Sequence, residues 1–268
     1  MSIFCCPKCG EELLKETNSY RCPKGHCYDR AAGGYVNLLP TAGGKQHGDN
    51  REMLKARRVF LDGGSYGILQ EAVADTVKEL LSGQNATVFD AGCGEGYYTE
   101  AICKALPRAV VYGVDVSKDA VKMCDKRHMH ADFATASVYS LPVKEQSVDL
   151  ILSVFSPFAG DEFHRILKKD GYLISVIPDA KHLWELKSVL YDTPYENKVD
   201  DYEIKNFSFL QAKKVAFTMH LQGSEEIGAL YRMTPYCYRT GKAGAERMER
   251  LESLDCGAEF QILVYQKK

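Results

Sequence analysis

The sequence predicts an α/β fold, in which helices cover both faces of a mainly parallel sheet, and a small cysteine-rich module precedes it. Three observations carry this prediction. Short apolar segments alternate with helical segments from residue 87 onward, a glycine-rich turn follows the first of these segments, and five cysteines and one histidine fall within residues 5–27. Apolar strands separated by helices are typical of a parallel sheet that is buried on both faces.

Composition narrows the class of protein. The chain has 268 residues and a formal net charge of −2, so no overall basic field favours nucleic acid. No apolar run approaches the roughly eighteen residues of a membrane span, and we expect neither a signal peptide nor a membrane partner. The other five of the ten cysteines are scattered singles: Cys93, Cys103, Cys124, Cys237 and Cys256. This distribution predicts a reduced, cytoplasmic location and metal binding by the N-terminal cluster.

Residues 1–38 form the predicted metal-binding module. Cys6 and Cys9 make one short-spaced pair, and Cys22 begins a second group, CPKGHC, in which His26 or Cys27 can supply the fourth ligand. The neighbouring Cys5 leaves a similar one-residue ambiguity at the first pair. Two short-spaced groups of soft ligands predict tetrahedral zinc, and four protein ligands predict a structural rather than a catalytic metal.

Residues 39–84 are predicted to be a linker and a helical connection. The stretch TAGGKQHGDN, residues 41–50, is polar and rich in glycine, which is typical of a linker. Two helices are predicted to follow, over residues 51–61 and 69–81, because apolar residues recur there at helical spacing.

Residues 85–268 form the predicted α/β domain. The predicted strands cover residues 87–89, 110–114, 148–154, 172–177 and 260–265. The predicted helices cover residues 98–105, 118–127, 161–167 and 181–191.

The glycine-rich turn, VFDAGCGEGYYTEA, predicts a nucleotide site. Gly92, Gly94 and Gly96 follow a strand that ends at Asp90, and Asp115 ends the next strand, where it can bond the hydroxyls of a ribose. A dinucleotide fingerprint requires a third glycine where this chain has Tyr97, and Asp90 suits a ligand that carries an ammonium group. These features favour S-adenosylmethionine over NAD.

DAGCGEGYYT and GVDVS resemble the first two motifs of class I S-adenosylmethionine-dependent methyltransferases. The whole chain resembles the RlmA family of 23S rRNA (guanine-N1)-methyltransferases through the stretches CPKC, NSYRCPKGH, GGYVNLLP, ARRVFLDGGSY, DAGCGEGYYTEA, GVDVSKDA, PDAKHLWELK and RMTPY. The resemblance implies a Rossmann-like domain with a mainly parallel seven-stranded sheet and an N-terminal zinc ribbon. It also implies S-adenosylmethionine as cofactor, a stem-loop of 23S rRNA as partner, and a homodimer.

The same resemblance implies site residues. The zinc ligands would be Cys6, Cys9, Cys22 and His26. The cofactor contacts would include Asp90, Gly92 and Gly94 of the loop and the acid Asp115. The resemblance adds Tyr66, Tyr98, Thr99 and His182 to them. Ser137 occupies the position at which many relatives have an acid that reads the adenine amine, so backbone contacts would hold the adenine edge here.

The acceptor site of such an enzyme is expected at the carboxyl end of the fourth strand, at Ser156, Pro157 and Phe158. Phe155 or Phe158 can stack on an extruded base or belong to the core. N1 of guanine carries a proton that must be lost, and the candidate bases are Asp161 and Glu162, which can equally begin the next helix. The residues alone identify no catalytic group.

Basic residues are the candidates for RNA contact, with a solvated helix face as the alternative. One group precedes the α/β domain and the other belongs to the metal module: Arg51, Lys55, Arg57 and Arg58; Lys8, Lys15, Arg21 and Lys24. Two other functions remain open from the sequence. One is a small-molecule methyltransferase with a structural zinc clip, and the other is a non-catalytic RNA-binding protein that retains the fold.

Overall fold

An eight-stranded sheet dominates the computed structural model, which describes residues 2–40, 50–81, 83, 85–199 and 202–268. A separate three-stranded antiparallel sheet, in the order β1-β2-β3, belongs to the N-terminal module. The strands of the small sheet are β1 (Leu14–Lys15), β2 (Ser19–Arg21) and β3 (Cys27–Asp29). Those of the large sheet are β4 (Val36–Asn37), β5 (Thr87–Ala91), β6 (Val110–Asp115), β7 (Ala131–Thr135), β8 (Val148–Val154), β9 (Leu167–Pro178), β10 (Phe207–Gln222) and β11 (Ser253–Lys267).

Eight α-helices are found among the described residues. They are α1 (Arg51–Asp62), α2 (Gly67–Leu81), α3 (Tyr97–Ala105), α4 (Lys118–Cys124), α5 (Gly160–Ile166), α6 (Trp184–Leu190), α7 (Gly223–Met233) and α8 (Lys242–Glu249). Short 3-10 helices follow α4 at Asp125–Arg127 and α7 at Pro235–Tyr238. None of the helices in the described chain is both long and apolar enough to cross a bilayer.

The predicted α/β class is confirmed. The large sheet has the order β10-β11-β9-β8-β5-β6-β7-β4. Strands β4 to β9 run parallel, and β11 pairs antiparallel with both of its neighbours, β9 and β10. Seven of these strands make up the predicted sheet. The eighth, β4, comes from the N-terminal module and pairs in parallel with β7 through Val36 and Ala134.

Alternate residues of the strands belong to two separate cores. Val88 and Leu150 contribute to one core, and Phe89 and Ile151 contribute to the other, because successive side chains of a strand point to opposite faces. On the second face, Phe163 of α5 shares its core with Phe4, Leu13, Tyr20 and Leu38 of the N-terminal module. The module therefore covers part of the sheet much as a helix would.

The predicted elements match the observed ones best where the apolar pattern is strong. The strand over 148–154 is observed with the predicted ends, whereas β9 and β11 are longer than predicted. The predicted helix over 181–191 is shorter, because Leu183 has a φ of 56° and the α-helix starts only at Trp184. Within the predicted linker, Asn50 is described, and its side chain caps α1 by accepting the N–H of Met53; the rest of that segment lies outside the described residues.

Candidate functional site

Four ligand atoms converge in the N-terminal module. The Sγ atoms of Cys6, Cys9 and Cys22 and a ring nitrogen of His26 all lie within 4.8 Å of one another. Cys6 Sγ and Cys22 Sγ each lie 3.4 Å from His26 Nδ1, and Cys9 Sγ lies 3.7 Å from Cys22 Sγ. Tetrahedral zinc with ordinary bond lengths separates sulfur from nitrogen by about 3.5 Å and sulfur from sulfur by about 3.8 Å. The four residues therefore fit a structural zinc ion.

The alternative ligands lie outside this group. Cys27 is exposed, and Cys5 is half-buried with its backbone N–H donated to Pro142 O. Burial disfavours the Cys6 thiolate, but hydrogen bonds from Tyr28 Oη and from backbone N–H groups outweigh burial and lower the pKa of Cys6 to about 6. Zinc binds the thiolate form of cysteine, so the lowered pKa favours Cys6 as a ligand. His26, rather than Cys27, completes the donor set.

The glycine loop lies at the carboxyl end of β5, where the strand order reverses. From β5 the chain proceeds through β6 and β7 on one side, while β8 and β9 lie on the other. A crevice at such a switch point is the usual ligand site of an open parallel sheet. Gly92 has a φ of 82°, and a Cβ on it would lie 2.1 Å from Ser156 Oγ, so the loop after β5 and the segment after β8 meet in close contact.

Asp115, the acid at the end of β6, lies against this loop. Its Oδ2 accepts the N–H of Gly94 at 3.0 Å, and its Oδ1 accepts the N–H of Ser117 at 2.8 Å. Gly94 has a φ of 55°, and no atom lies within 4 Å of where its Cβ would be. The backbone at Gly94 is therefore open to a ligand, beside the acid predicted to hold a ribose.

Asp90 is buried beneath the loop. Thr99 Oγ1 donates a hydrogen bond of 2.5 Å to Asp90 Oδ2. Burial raises the pKa of Asp90 to about 7, and the neighbouring Asp115 adds to the rise, although the Thr99 hydrogen bond opposes it. A cation beside a buried carboxyl group stabilises its ionised form, and the ammonium group of S-adenosylmethionine would be such a cation.

Two buried hydroxyl groups beside the loop make no hydrogen bond in this structure. They are Tyr98 Oη, in the first turn of α3, and Ser156 Oγ, which packs on Gly92. A buried hydroxyl costs free energy unless a partner satisfies it. Together with the open backbone at Gly94 and the acids Asp90 and Asp115, these groups fit a polar ligand that carries both an ammonium group and a ribose.

An aromatic cluster closes the side of the site toward β11. Phe260 lies at its centre, with ring centroids 4.5 Å from His182, 5.1 Å from Tyr66, 5.5 Å from Phe155 and 6.1 Å from Phe217. The structure thus brings the predicted residues Tyr66 and His182 together, and the Phe155 ring in turn lies 6.3 Å from the Tyr98 ring.

His182 is held neutral within this cluster. Its Nδ1 accepts the N–H of Glu259 at 3.2 Å, so the ring proton resides on Nε2. Burial lowers the pKa of His182 to about 3, and the charge of Lys187 lowers it further. His182 can therefore donate a hydrogen bond from Nε2, but that nitrogen cannot act as a base.

The remaining predicted residues lie along the same edge of the sheet. Ser137 follows β7, and the N–H of the preceding Ala136 is donated to Asp115 O at 3.1 Å. Asp161 is exposed in the first turn of α5. Glu162, by contrast, accepts the N–H of Leu141 at 2.6 Å and pairs with Arg165 at 2.8 Å, and these contacts lower its pKa. Both Glu162 oxygens are engaged, which gives this residue a structural role and argues against it as the base.

A buried ion-pair network underlies the loop. Arg127 donates to Glu95 Oε1 at 2.6 Å, to Glu100 Oε2 at 2.7 Å and to Asp62 Oδ1 at 2.8 Å. Arg58 approaches the same Glu95 at 3.7 Å. The network joins the glycine loop to α1, and it explains why a second acid, Glu95, stands between the glycines.

The predicted basic groups differ in accessibility. Arg51 and Lys55 are exposed on α1, whereas Arg58 donates to Met123 O and pairs with Asp62, and Arg57 donates to Met233 O. Within the module, three cations form ion pairs: Lys15 with Asp132, Arg21 with Glu16, and Lys24 with Glu11. Arg57 and Arg58 thus pack inward, because the apolar face of α1 turns them toward α4 and α7.

Sequence reasoning missed Phe260, Phe217 and Arg127. Phe260 fell within a predicted strand, but nothing local indicated that this strand would cross beside the cofactor loop. Arg127 carried a weak signal, since an arginine at the end of a predicted helix can pair with the acid inside the glycine loop.

Fold and site together define a class I S-adenosylmethionine-dependent methyltransferase with a structural zinc centre. A family model described as a methyltransferase domain matches residues 88–171, and one described as the RlmA N-terminal zinc ribbon matches residues 4–45. A Bacillus subtilis (strain 168) protein named "Putative 23S rRNA (guanine-N(1)-)-methyltransferase YxjB" is 31% identical over 99% of this chain and 98% of its own. The Streptomyces fradiae protein named "23S rRNA (guanine(748)-N(1))-methyltransferase" is 35% identical over 69% of this chain and 66% of its own. The chain belongs to the RlmA family.

Proposed function

We propose that this protein transfers a methyl group from S-adenosylmethionine to N1 of a guanine in a stem-loop of 23S rRNA. The observation that carries the proposal is the 31% identity to a relative of that name over 99% of the chain, through both the zinc module and the cofactor domain. A free-standing cofactor domain would be compatible with many acceptors. The zinc ribbon joined to it is the feature that a small-molecule methyltransferase does not require.

Bound S-adenosylmethionine supplies a methyl group on a sulfonium, which already has a good leaving group. The protein's work is therefore alignment and exclusion of water. Asp90 would hold the ammonium group, Asp115 the ribose hydroxyls, and the backbone around Gly94 and Tyr98 the remaining polar atoms. Thr99 keeps the Asp90 carboxylate oriented.

The acceptor guanine would enter at the carboxyl end of β8. Phe155 is exposed there with a φ of 53°, a conformation that is strained for an aromatic residue, and its N–H is donated to Val176 O. The ring faces Tyr98 and Phe260. This placement suits a stacking contact with the extruded base beside the cofactor.

Loss of the N1 proton requires a base. Of the two candidates, Asp161 is exposed at this edge, whereas Glu162 is bound to Arg165 and to the backbone. Asp161 is therefore the base that we propose. His182, with its proton on Nε2, is placed to donate rather than to accept.

The zinc ion would act only on structure, because all four of its positions are filled by protein ligands. Exposed cations such as Arg51, Lys55 and Lys8 would contact RNA phosphates. The setting we propose is the cytoplasm, where rRNA is modified, and the protein would act as a homodimer.

The test is transfer of labelled methyl from S-adenosylmethionine to protein-free 23S rRNA, followed by nucleoside analysis. We expect 1-methylguanosine, and an Asp115→Ala variant should reduce its formation at least tenfold. Label in free small acceptors but not in rRNA, from protein that binds both zinc and cofactor, would establish the small-molecule function instead. Cofactor binding without transfer to either would favour a non-catalytic RNA-binding protein.

A further inference from the structure

Exposed aromatic side chains gather at the carboxyl edge of the sheet. Tyr139 is 65% exposed in the segment after β7, and Phe158 is 40% exposed in the segment after β8. Phe155, nearer the cofactor loop, is 47% exposed. Single exposed apolar residues are common on protein surfaces, but several on the edge that carries the active site indicate a contact surface.

Tyr139 stands at the tip of a tight turn. The N–H of Ser140 is donated to Ser137 O at 3.2 Å, and the N–H of Tyr139 is donated to Ser137 Oγ at 3.3 Å. Val138, the other residue at the tip, is buried. The turn thus anchors itself through Val138 and presents the tyrosine ring to solvent.

Phe158 is also held firmly at its base. Its ring meets Phe163 edge-on with centroids 5.5 Å apart, and a Cβ on Gly160 would lie 2.9 Å from Phe158 Cε1. One edge of the ring therefore packs on α5 and its first residue, while much of the ring remains open. A fixed, partly exposed ring loses little conformational entropy when a flat ligand stacks on it.

Hydrogen bonds tie the two aromatic segments together. Glu162, four residues after Phe158, accepts the N–H of Leu141, and Arg165 donates to Leu141 O at 2.8 Å and to Val143 O at 2.7 Å. Leu141 is two residues after Tyr139. These contacts explain the structural role of Glu162 and keep both rings on one rigid piece of surface.

The same surface continues into the zinc module. Cys5 donates its N–H to Pro142 O at 2.8 Å, and Phe4 pairs with Val143. Each of the two joined segments carries an exposed lysine close to the contact, Lys8 in the zinc module and Lys144 directly after Val143. The segment that carries Tyr139 thus runs directly into the contact with the zinc module, and a single RNA strand can follow it from the module to the cleft.

We propose that Tyr139 and Phe158 form a stacking surface for unpaired bases next to the target guanine. This inference rests on the proposed function, since the rRNA loop supplies the flat aromatic partner. Stacking of a base on an aromatic side chain tolerates any sequence, and removing one such ring typically weakens binding by about tenfold.

The experiment compares Tyr139→Ala, Phe158→Ala and the double variant with Phe209→Ala. Phe209 is 43% exposed and stacks on Tyr202, but it lies on the outermost strand, β10, opposite Tyr265 and away from the carboxyl ends of β7 and β8, so it is a matched control. We expect each site variant to raise the KM for 23S rRNA about tenfold, with the Kd for S-adenosylmethionine unchanged. The Tyr139→Trp and Phe158→Trp variants should keep the wild-type KM, because a larger ring still stacks.

A binding measurement separates this inference from the proposed function. An RNA hairpin with 2-aminopurine in its loop loses fluorescence when the base stacks on an aromatic ring. Quenching by wild-type protein that is reduced in both alanine variants, but not in Phe209→Ala, would support the stacking surface even if no methyl transfer to rRNA occurs. Unchanged KM and unchanged quenching in both alanine variants would overturn it while leaving the proposed function intact.

Discussion

Thr99 Oγ1 and Asp90 Oδ2 lie 2.5 Å apart beneath the cofactor loop, and this hydrogen bond fixes an acid whose pKa is about 7. Burial keeps the proton on Asp90 below neutral pH, whereas an ammonium group binds best to the ionised form. Because Asp90 must release its proton before it binds the ammonium group, acidification should weaken the binding of S-adenosylmethionine.

The affinity for S-adenosylmethionine is accordingly expected to fall about eightfold between pH 7.5 and pH 6.0. Titration calorimetry at both values measures it. Asp90→Asn should bind weakly with little change over the same interval, since the amide does not titrate. A wild-type affinity that is constant over this interval would contradict the role given to Asp90.

Gly94→Ala should remove cofactor binding while leaving the fold largely intact. Gly94 and Gly83 both have positive φ values, 55° and 77°, and at neither residue does any atom lie within 4 Å of the position that a Cβ would take. Both alanine variants should lose about 1 kcal/mol of stability from backbone strain. Only Gly94→Ala should weaken the binding of S-adenosylmethionine, by at least tenfold, because the Cβ of the new alanine occupies the space through which the ligand approaches the loop. Equal cofactor affinity in the two variants would place the ligand elsewhere.

Arg127→Ala should destabilise the protein by about 3–5 kcal/mol, because it leaves Glu95 buried without its partner. Burial already raises the pKa of Glu95 despite Arg127. Lys242→Ala, which breaks an exposed pair with Glu246, is the control and should cost less than about 1 kcal/mol. Urea unfolding measures both. A loss for Arg127→Ala no larger than that of the control would show that the network contributes little.

Cys22→Ser should abolish zinc binding, whereas Cys27→Ser should retain one zinc ion per chain. Cys22 belongs to the four-residue cluster and Cys27 does not, although only four residues separate them. Since the module shares a core with the sheet, zinc loss should lower the Tm of the whole protein by on the order of 10 °C. Elemental analysis and thermal unfolding provide the two readouts. Zinc loss in Cys27→Ser would mean that the donor set is wrong.

Local motifs explain what the sequence could predict. Zinc ligands that are three or four residues apart determine most of their own geometry, so the spacing of Cys6, Cys9 and Cys22 predicts a metal site. The choice of His26 over Cys27 depends on the family resemblance and not on spacing. The meeting of Asp115 with Gly94 follows from a general rule, because parallel strands bring their carboxyl ends to one edge.

Long-range placement explains what the sequence could not predict. The position of Phe260 depends on the antiparallel pairing of β11 with β9, and β10 was missed because most of its residues are exposed at the sheet edge. Arg57 and Arg58 look identical to RNA-binding arginines in sequence. Their inward direction is decided by which face of α1 packs on the rest of the protein.

The pairing of β4 with β7 attaches the zinc module directly to the large sheet. Val36 and Asn37 are part of the sheet, and Thr135 Oγ1 donates to Asn37 Oδ1 at 2.5 Å, so the zinc knuckle stands at a set distance from the cofactor loop. The distance between the zinc site and the methyl group is therefore fixed. An RNA that binds at both points has to span that distance, so its folded shape, more than the nucleotide sequence around the guanine, would determine which nucleotide reaches the methyl group.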